Sequence, residues 1–140
     1  MKSPVILIVG TVDTKSDEIG FMREQVQAAG GRALVMDVGV HLQTRLRKLV
    51  GTCSFVGDVR GVGLMLGIEM VSDKAKRTPM TRSSDVPARV AKAAYKAGLM
   101  VRISGPNPIL SPPLIITREE VDFMCDVLEA AFAAVQEGRA

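Results

Sequence analysis

The sequence predicts an α/β domain with a single mixed sheet, opened by a parallel βαβ unit, with helices packed on the sheet. Two observations carry this. Val5 to Val9 and Ala33 to Val38 are apolar runs with a helical face between them, so strand, helix and strand fit within the first 38 residues. A crossover of that kind is right-handed. Further along, Leu64, Leu66, Ile68 and Met70 alternate with Met65, Gly67, Glu69 and Val71. Both sets are largely apolar, as a central strand requires. A chain of 140 residues can bury roughly 70% of its unfolded surface, so one domain over 1–140 is expected.

The elements follow in order. Val5 to Val9 is unbroken and β-rich, which suits a strand buried on both faces. Gly10 to Lys15 is a polar turn, with Thr14 placed to cap the next helix. Ile19, Met22, Val26 and Ala29 mark that helix, and Gly30-Gly31 ends it. Leu42, Leu46, Leu49 and Val50 mark a short helix ending at Gly51, with Arg45, Arg47 and Lys48 on its solvated face. Phe55 to Val59 and Val62 to Val71 read as strands that meet at Arg60-Gly61. Residues 72–84 form the most polar stretch, a loop.

Ser84 or Asp85 caps the following helix, Pro87 sits in its first turn, and Gly98 stops it. Leu99 to Ile103 is a strand. Ile109-Leu110 and Leu114 to Ile116 are strand pieces broken by Pro112-Pro113, which predicts an edge or a corner. Thr117 to Glu120 is a capping box opening a last helix, which buries Val121, Met124, Cys125, Leu128, Phe132 and Val135.

Composition excludes several functions. The 18 basic and 15 acidic residues are interspersed and only five side chains are aromatic, which argues against a nucleic-acid partner. No stretch reaches the roughly 20 apolar residues that cross a bilayer. Cys53, Cys125 and the lone His41 have no metal-ligand spacing. Two distant cysteines fit a reduced, cytoplasmic protein.

Residues 56–71, VGDVRGVGLMLGIEMV, are followed by Val101-Arg102 and then by Ser111-Pro112-Pro113-Leu114-Ile115-Ile116-Thr117. With the element order around them, residues 39–137 resemble the small C-terminal domain of class III aminotransferases, the fold-type I family that uses pyridoxal phosphate. Amine– and amino acid–pyruvate transaminases carry an arginine ten residues before the Pro-Pro pair, and Arg102 stands ten before Pro112. The resemblance implies that Arg102 binds a substrate carboxylate, for which a guanidinium fork is suited. A variant with the arginine three residues before the pair meets Ile109 here, and Arg60 reads as a structural turn residue.

In that family the cofactor lysine lies in a large domain. The seven lysines of this chain stand in other contexts. The resemblance therefore implies a domain without transaminase activity alone, with no catalytic residue and no cofactor expected in isolation. It also implies a monomer or weak homodimer, because the family dimerises mostly through its large domain.

A second resemblance covers residues 5–40. Gly10-Thr11-Val12-Asp13-Thr14-Lys15 after a strand is similar to the start of the ATP-binding family of the plant tobamovirus-resistance protein and its bacterial relatives. It implies that Gly10, Thr11, Asp13, Thr14 and Lys15 hold a nucleotide phosphate at a helix N-terminus. The same residues also read as an ordinary capped turn. The two resemblances meet near Val38-Gly39-Val40, dividing the chain into 1–39 and 40–140. A natural fusion, a gene-model artefact and an engineered chimera without a ligand all fit.

Overall fold

The computed structural model describes residues 3–10 and 12–139; the side chains of residues 9, 12–14 and 36 lie outside the description. The elements run β1 Val5–Gly10, α1 Val12–Ala28, β2 Arg32–Asp37, α2 Val38–Thr52, β3 Val56–Val62, β4 Met65–Asp73, β5 Thr78–Pro79, α3 Val86–Lys96, β6 Arg102–Ser104, β7 Asn107–Leu110 and α4 Arg118–Gln136. The α/β class and the opening parallel βαβ unit stand. Among the described residues no helix is long and apolar enough to cross a membrane.

The single mixed sheet is corrected to two sheets. β1 and β2 pair only with each other, in parallel from Val5↔Arg32 to Gly10↔Asp37. The remaining strands form an antiparallel sheet in the order β3-β4-β7-β6, with β5 on β4. β2 ends on Asp37, and Asp37 is itself the N-cap of α2, accepting from the Gly39 and Val40 N–H groups at 3.0 and 3.2 Å. α2 then leads into β3 of the other sheet.

Burial of β1 on both faces is also corrected. Ile8 is buried and packs on the side covered by α1, whose Ile19 is buried too. On the alternate side Val5 and Leu7 remain 55% and 53% exposed, because nothing among the described residues covers that face. Gly30 ends α1 at φ +78°, in the left-handed region that glycine enters at no steric cost. α1 spans Val12–Ala28 with a kink at Lys15, where φ and ψ are non-helical, and the Thr14 side chain read as a cap lies outside the described residues.

The antiparallel sheet holds the core. Leu66, Ile68 and Met70 of β4 are fully buried with Val56 and Val59 of β3 and Leu110 of β7. Leu42, Leu46 and Leu49 of α2, and the six inward positions read for α4, complete the same cluster. Phe132 stacks on Phe55 with centroids 5.9 Å apart. The capping box is present: Glu120 N–H donates to Thr117 Oγ1 at 3.2 Å, and Thr117 N–H donates to Glu120 Oε2 at 2.8 Å.

Several boundaries move. α2 runs from 38 to 52, longer than its apolar stripe suggests. The β3–β4 turn lies at Gly63-Leu64, not at Arg60-Gly61, since Gly61 stays in the ladder opposite Leu66. A Cβ on Gly61 would lie 2.0 Å from the Met65 carbonyl oxygen, so the ladder can close only over a glycine. β6 starts at Arg102, later than Leu99. Leu114 and Ile115 form a turn rather than a strand. Pro112 and Pro113 supply no N–H groups to a ladder there. The piece before them is not an edge: β7 lies between β4 and β6. The polar stretch after β4 is ordered in part by Lys74, whose Nζ donates to the Val50 and Cys53 carbonyls at the end of α2.

Arg45 is not on a solvated face. Only 17% of its side chain is exposed, and it pairs with Asp122 at 2.7 Å, Asp126 at 2.6 Å and Glu129 at 3.2 Å, all on α4. His41, one turn earlier, lies 2.8 Å from Asp122. Asp126, with Glu129 and Asp122 behind it, pushes the Arg45 pKa further up. The hydrogen bonds from His41 and then Arg45 hold the Asp122 carboxyl below its ordinary range. Beneath this clasp the Cys125 thiol is buried and its pKa is pushed up to about 11 by desolvation.

Two predictions follow from these contacts. A depressed carboxyl pKa contributes stability above the unfolded value and loses it as pH falls through the folded one. Asp122→Asn should therefore flatten the acid limb of the stability profile, roughly between pH 5 and 2. Urea melts across that range check it, and an unchanged acid limb would remove the clasp from the account.

The second compares two glycines of α2. A Cβ on Gly39 would lie 2.8 Å from the Gly63 Cα, where backbone meets backbone, whereas one on Gly51 meets nothing within 4 Å. Gly39→Ala should cost about 1–3 kcal/mol. Gly51→Ala should add roughly 0.5–1 kcal/mol by helix propensity. Denaturant midpoints read both signs.

Candidate functional site

The second sheet has an outer face, and the register places a row of residues across it. Arg60 pairs with Gly67, Gly67 with Ile109, and Ile109 with Arg102. Paired residues share a face, so these four lie opposite the Leu66–Leu110 pair in the core. At about 4.8 Å per strand the two arginines are roughly 14 Å apart along the row. They differ in charge balance. Arg60 is held by Glu69 at 2.6 Å and Asp58 at 3.2 Å, which makes it a cross-strand tie rather than a turn residue. Arg102 is exposed and has no ion-pair partner among the described residues.

Arg102 stands at a groove of about 780 Å³. Sequence builds the walls in three pieces. α3 stops at Gly98, φ +88°, which turns the chain back through Leu99–Val101 into the edge strand β6. β7 is anchored inside the sheet, where the Asn107 side-chain oxygen accepts from the Met70 N–H at 2.9 Å. The Pro112-Pro113 corner then leads into a turn closed by Ile116 N–H donating to the Pro113 carbonyl at 3.0 Å, and the capping box fixes the start of α4.

The lining is apolar in the main. Met100 is 84% exposed and Ile115 90%, and Phe123 stands half-exposed on α4. Among the described residues Arg102 is the one cation on the wall, and Glu120, already accepting from the Thr117 N–H, is the one anion. Chemically the arrangement offers a guanidinium fork beside an apolar cleft. It offers no nucleophile–base pair, and the described residues contain no cluster of metal-ligating groups.

The residues of the first turn are placed elsewhere, at the end of β1 in the other sheet. Thr11 and the side chains of Asp13 and Thr14 lie outside the described residues. Lys15 donates to Glu18 at 2.7 Å, and this hydrogen bond holds the Glu18 carboxyl below its ordinary value. Gly10 faces Ile19, whose Cδ1 would lie 2.9 Å from an added Cβ. Lys15 thus already has a local, exposed ion-pair partner, and the turn lies in the other sheet from Arg102.

Sequence reasoning found Arg102 but missed the walls around it. The available signal was Phe123, an aromatic outside the buried stripe of α4, together with Met100 and Ile115 at turns where polar residues are usual. It also missed the α2–α4 clasp, which is spelled by His41 and Arg45 facing Asp122, Asp126 and Glu129 at helical spacing.

Residues 22–132 match the family model described as aminotransferase class-III. The chain is 38% identical over 103 residues to a leucine/methionine racemase of Thermococcus litoralis, covering 73% of this chain and 23% of that protein. It is 43% identical over 86 residues to an adenosylmethionine-8-amino-7-oxononanoate aminotransferase of Methanocaldococcus jannaschii, covering 61% of this chain and 18% of that one. A solved structure of an amine transaminase from an uncultivated Pseudomonas species, in its PLP-bound internal aldimine form, superposes with a TM-score of 0.66 at 47% identity, covering 69% of this chain and 22% of that one. The chain thus spans under a quarter of the length of these relatives. The family match begins inside α1, upstream of Val38, and the ATP-binding resemblance of residues 5–40 finds no support in these comparisons.

Because Arg102 is exposed and unpaired, Arg102→Ala should change stability by no more than about 0.5 kcal/mol. Thermal and urea melts of the variant check this. A loss of several kcal/mol would make it a structural residue.

Proposed function

We propose, from the premise that the chain belongs to the class III aminotransferase family, that the Arg102 groove is the carboxylate-binding side of a transaminase-type substrate site. We also propose that the chain does not transaminate alone. The observation that carries the reading is a guanidinium left without a counter-ion at the rim of an apolar groove. A bidentate carboxylate supplies that counter-ion, and the apolar walls lower the local dielectric, which strengthens the pair.

Pyridoxal phosphate, when bound, supplies an electron sink for carbanion chemistry. It needs a lysine for its aldehyde, an acid at its ring nitrogen and donors for its phosphate. The described residues do not meet that need. Lys74 is committed to the α2 carbonyls, Lys15 to Glu18, and Lys76 stands exposed near Asp73; Lys48, Lys92 and Lys96 lie on exposed helix faces; none of these six lines the groove. What this chain contributes is orientation. Arg102 fixes the carboxylate end of a substrate, and Ile109, beside it in the row, offers an apolar floor. The alternative, a nucleotide phosphate held at Gly10–Lys15, would require Lys15 to exchange its exposed ion pair with Glu18 for the ligand.

Charges of both signs give no reason to propose a nucleic-acid or membrane partner, and two buried, unpaired cysteines suit a reducing cytoplasm. A monomer or weak homodimer is proposed, with the open Val5–Leu7 face of β1 as the apolar surface for any such pairing.

Two measurements on the full chain test the reading. Borohydride reduction with pyridoxal phosphate, followed by peptide mapping, should give sparse labelling over several surface lysines. One stoichiometrically labelled lysine would overturn the claim of no independent catalysis. Pyruvate titrated by ligand-observed NMR should bind weakly, in the millimolar range or above (about −4 kcal/mol or less at 1 M standard state), and Arg102→Ala should abolish the signal. Equal signals from both proteins would remove Arg102 from the site.

A further inference from the structure

The shape and charge of the groove go further than carboxylate capture, and the step rests on that reading. We infer that the groove selects monocarboxylates bearing an apolar tail, over dicarboxylates and over short acids such as acetate.

The volume is the first ground. At about 780 Å³ the groove lies within the roughly 300–1,000 Å³ of clefts that bury a whole small organic molecule, far beyond what one carboxylate fills. The lining is the second. Past Arg102 a ligand body runs along Met100, Ile109, Ile115 and Phe123, all apolar, and three of these are largely open to water when the groove is empty. Covering them with a hydrocarbon tail removes apolar surface from both partners. Full burial of a methylene would raise affinity about fourfold, and an open groove captures part of that.

The third ground is charge. A second carboxylate on the ligand would find no second cation on the wall. Inside the groove it would either lose hydration against hydrocarbon or approach Glu120, whose own oxygen is held at the helix cap by the Thr117 N–H, and kept in the water at the open mouth it would forgo the apolar contacts a tail makes. Either placement inside the groove is unfavourable. Arg60, the other arginine of the row, cannot help, because Glu69 and Asp58 already neutralise it.

The test is a titration of the full chain, by ligand-observed NMR with calorimetry where heats allow. Acetate, butanoate, hexanoate and octanoate form the series, with glutarate and hexanol as controls. Affinity should rise by about twofold or more per methylene from butanoate to octanoate. Glutarate and hexanol should each bind at least about tenfold more weakly than hexanoate. Arg102→Ala should bring hexanoate down to the level of hexanol. Ile115→Ser, at a position 90% exposed, should flatten the length dependence.

Affinities independent of tail length, or glutarate equal to hexanoate, would overturn the inference and leave carboxylate capture by Arg102 intact. Hexanol matching hexanoate, with no effect of Arg102→Ala, would overturn both. Absence of saturable binding by any of the six would do the same.

Discussion

An antiparallel sheet open to water on one face has to bury the other, and everything in this chain follows from how β3, β4 and β7 do so. Leu66, Ile68 and Met70 need an apolar roof, and α2 and α4 supply it with leucines, Cys125 and Phe132. Once those helices are committed inward, the opposite face is left to a sparse row of Arg60, Gly67, Ile109 and Arg102. The groove is a by-product of the same arrangement. Its walls come from the segment leading into the edge strand β6, from the Pro-Pro corner after β7 and from the first turns of α4.

α2 is where polar and apolar holding coincide. Its leucines enter the core, Arg45 gathers three carboxylates of α4, and Lys74 returns from the β4–β5 segment to its last carbonyls. Single exposed ion pairs contribute little. A guanidinium shared by three carboxylates at a largely shielded position differs, since the ordering entropy of one long side chain serves several bonds. Near the start of α2 the packing is closer still, with the backbones of Gly39 and Gly63 within the reach of a single methyl group.

Much of this was legible. Period-3.6 stripes identified α2, α3 and α4 because their inward residues are unambiguous, and the T-x-x-E box placed the start of α4 to the residue. The alternation in β4 revealed a central strand. What failed shares one cause: strings of apolar residues do not say what will cover them. Val5 to Val9 looks like a buried parallel strand, but a single helix can shield only one side of a two-stranded ribbon. The division into two sheets was equally hidden, since apolar runs do not state which strands will pair. Arg102 was legible through the spacing to Pro112. Its apolar surroundings were not, because Met100, Ile115 and Phe123 come together only when the chain after α3, the Pro-Pro corner and the start of α4 meet in the fold.

The double duty of Asp37 has a dynamic consequence. Capping is a local bond from its carboxylate to N–H groups two and three residues on, so it does not depend on the ladder to β1. A two-stranded parallel ribbon is marginal by itself, whereas α2 is locked into the core. The amide protons of β1 and β2 can therefore exchange with solvent through a partial opening that leaves α2 helical and capped. Those of Leu46 and Leu49 need the whole molecule to open. The chain behaves as two cooperative tiers hinged on one aspartate, the first fraying many times for each excursion of the second.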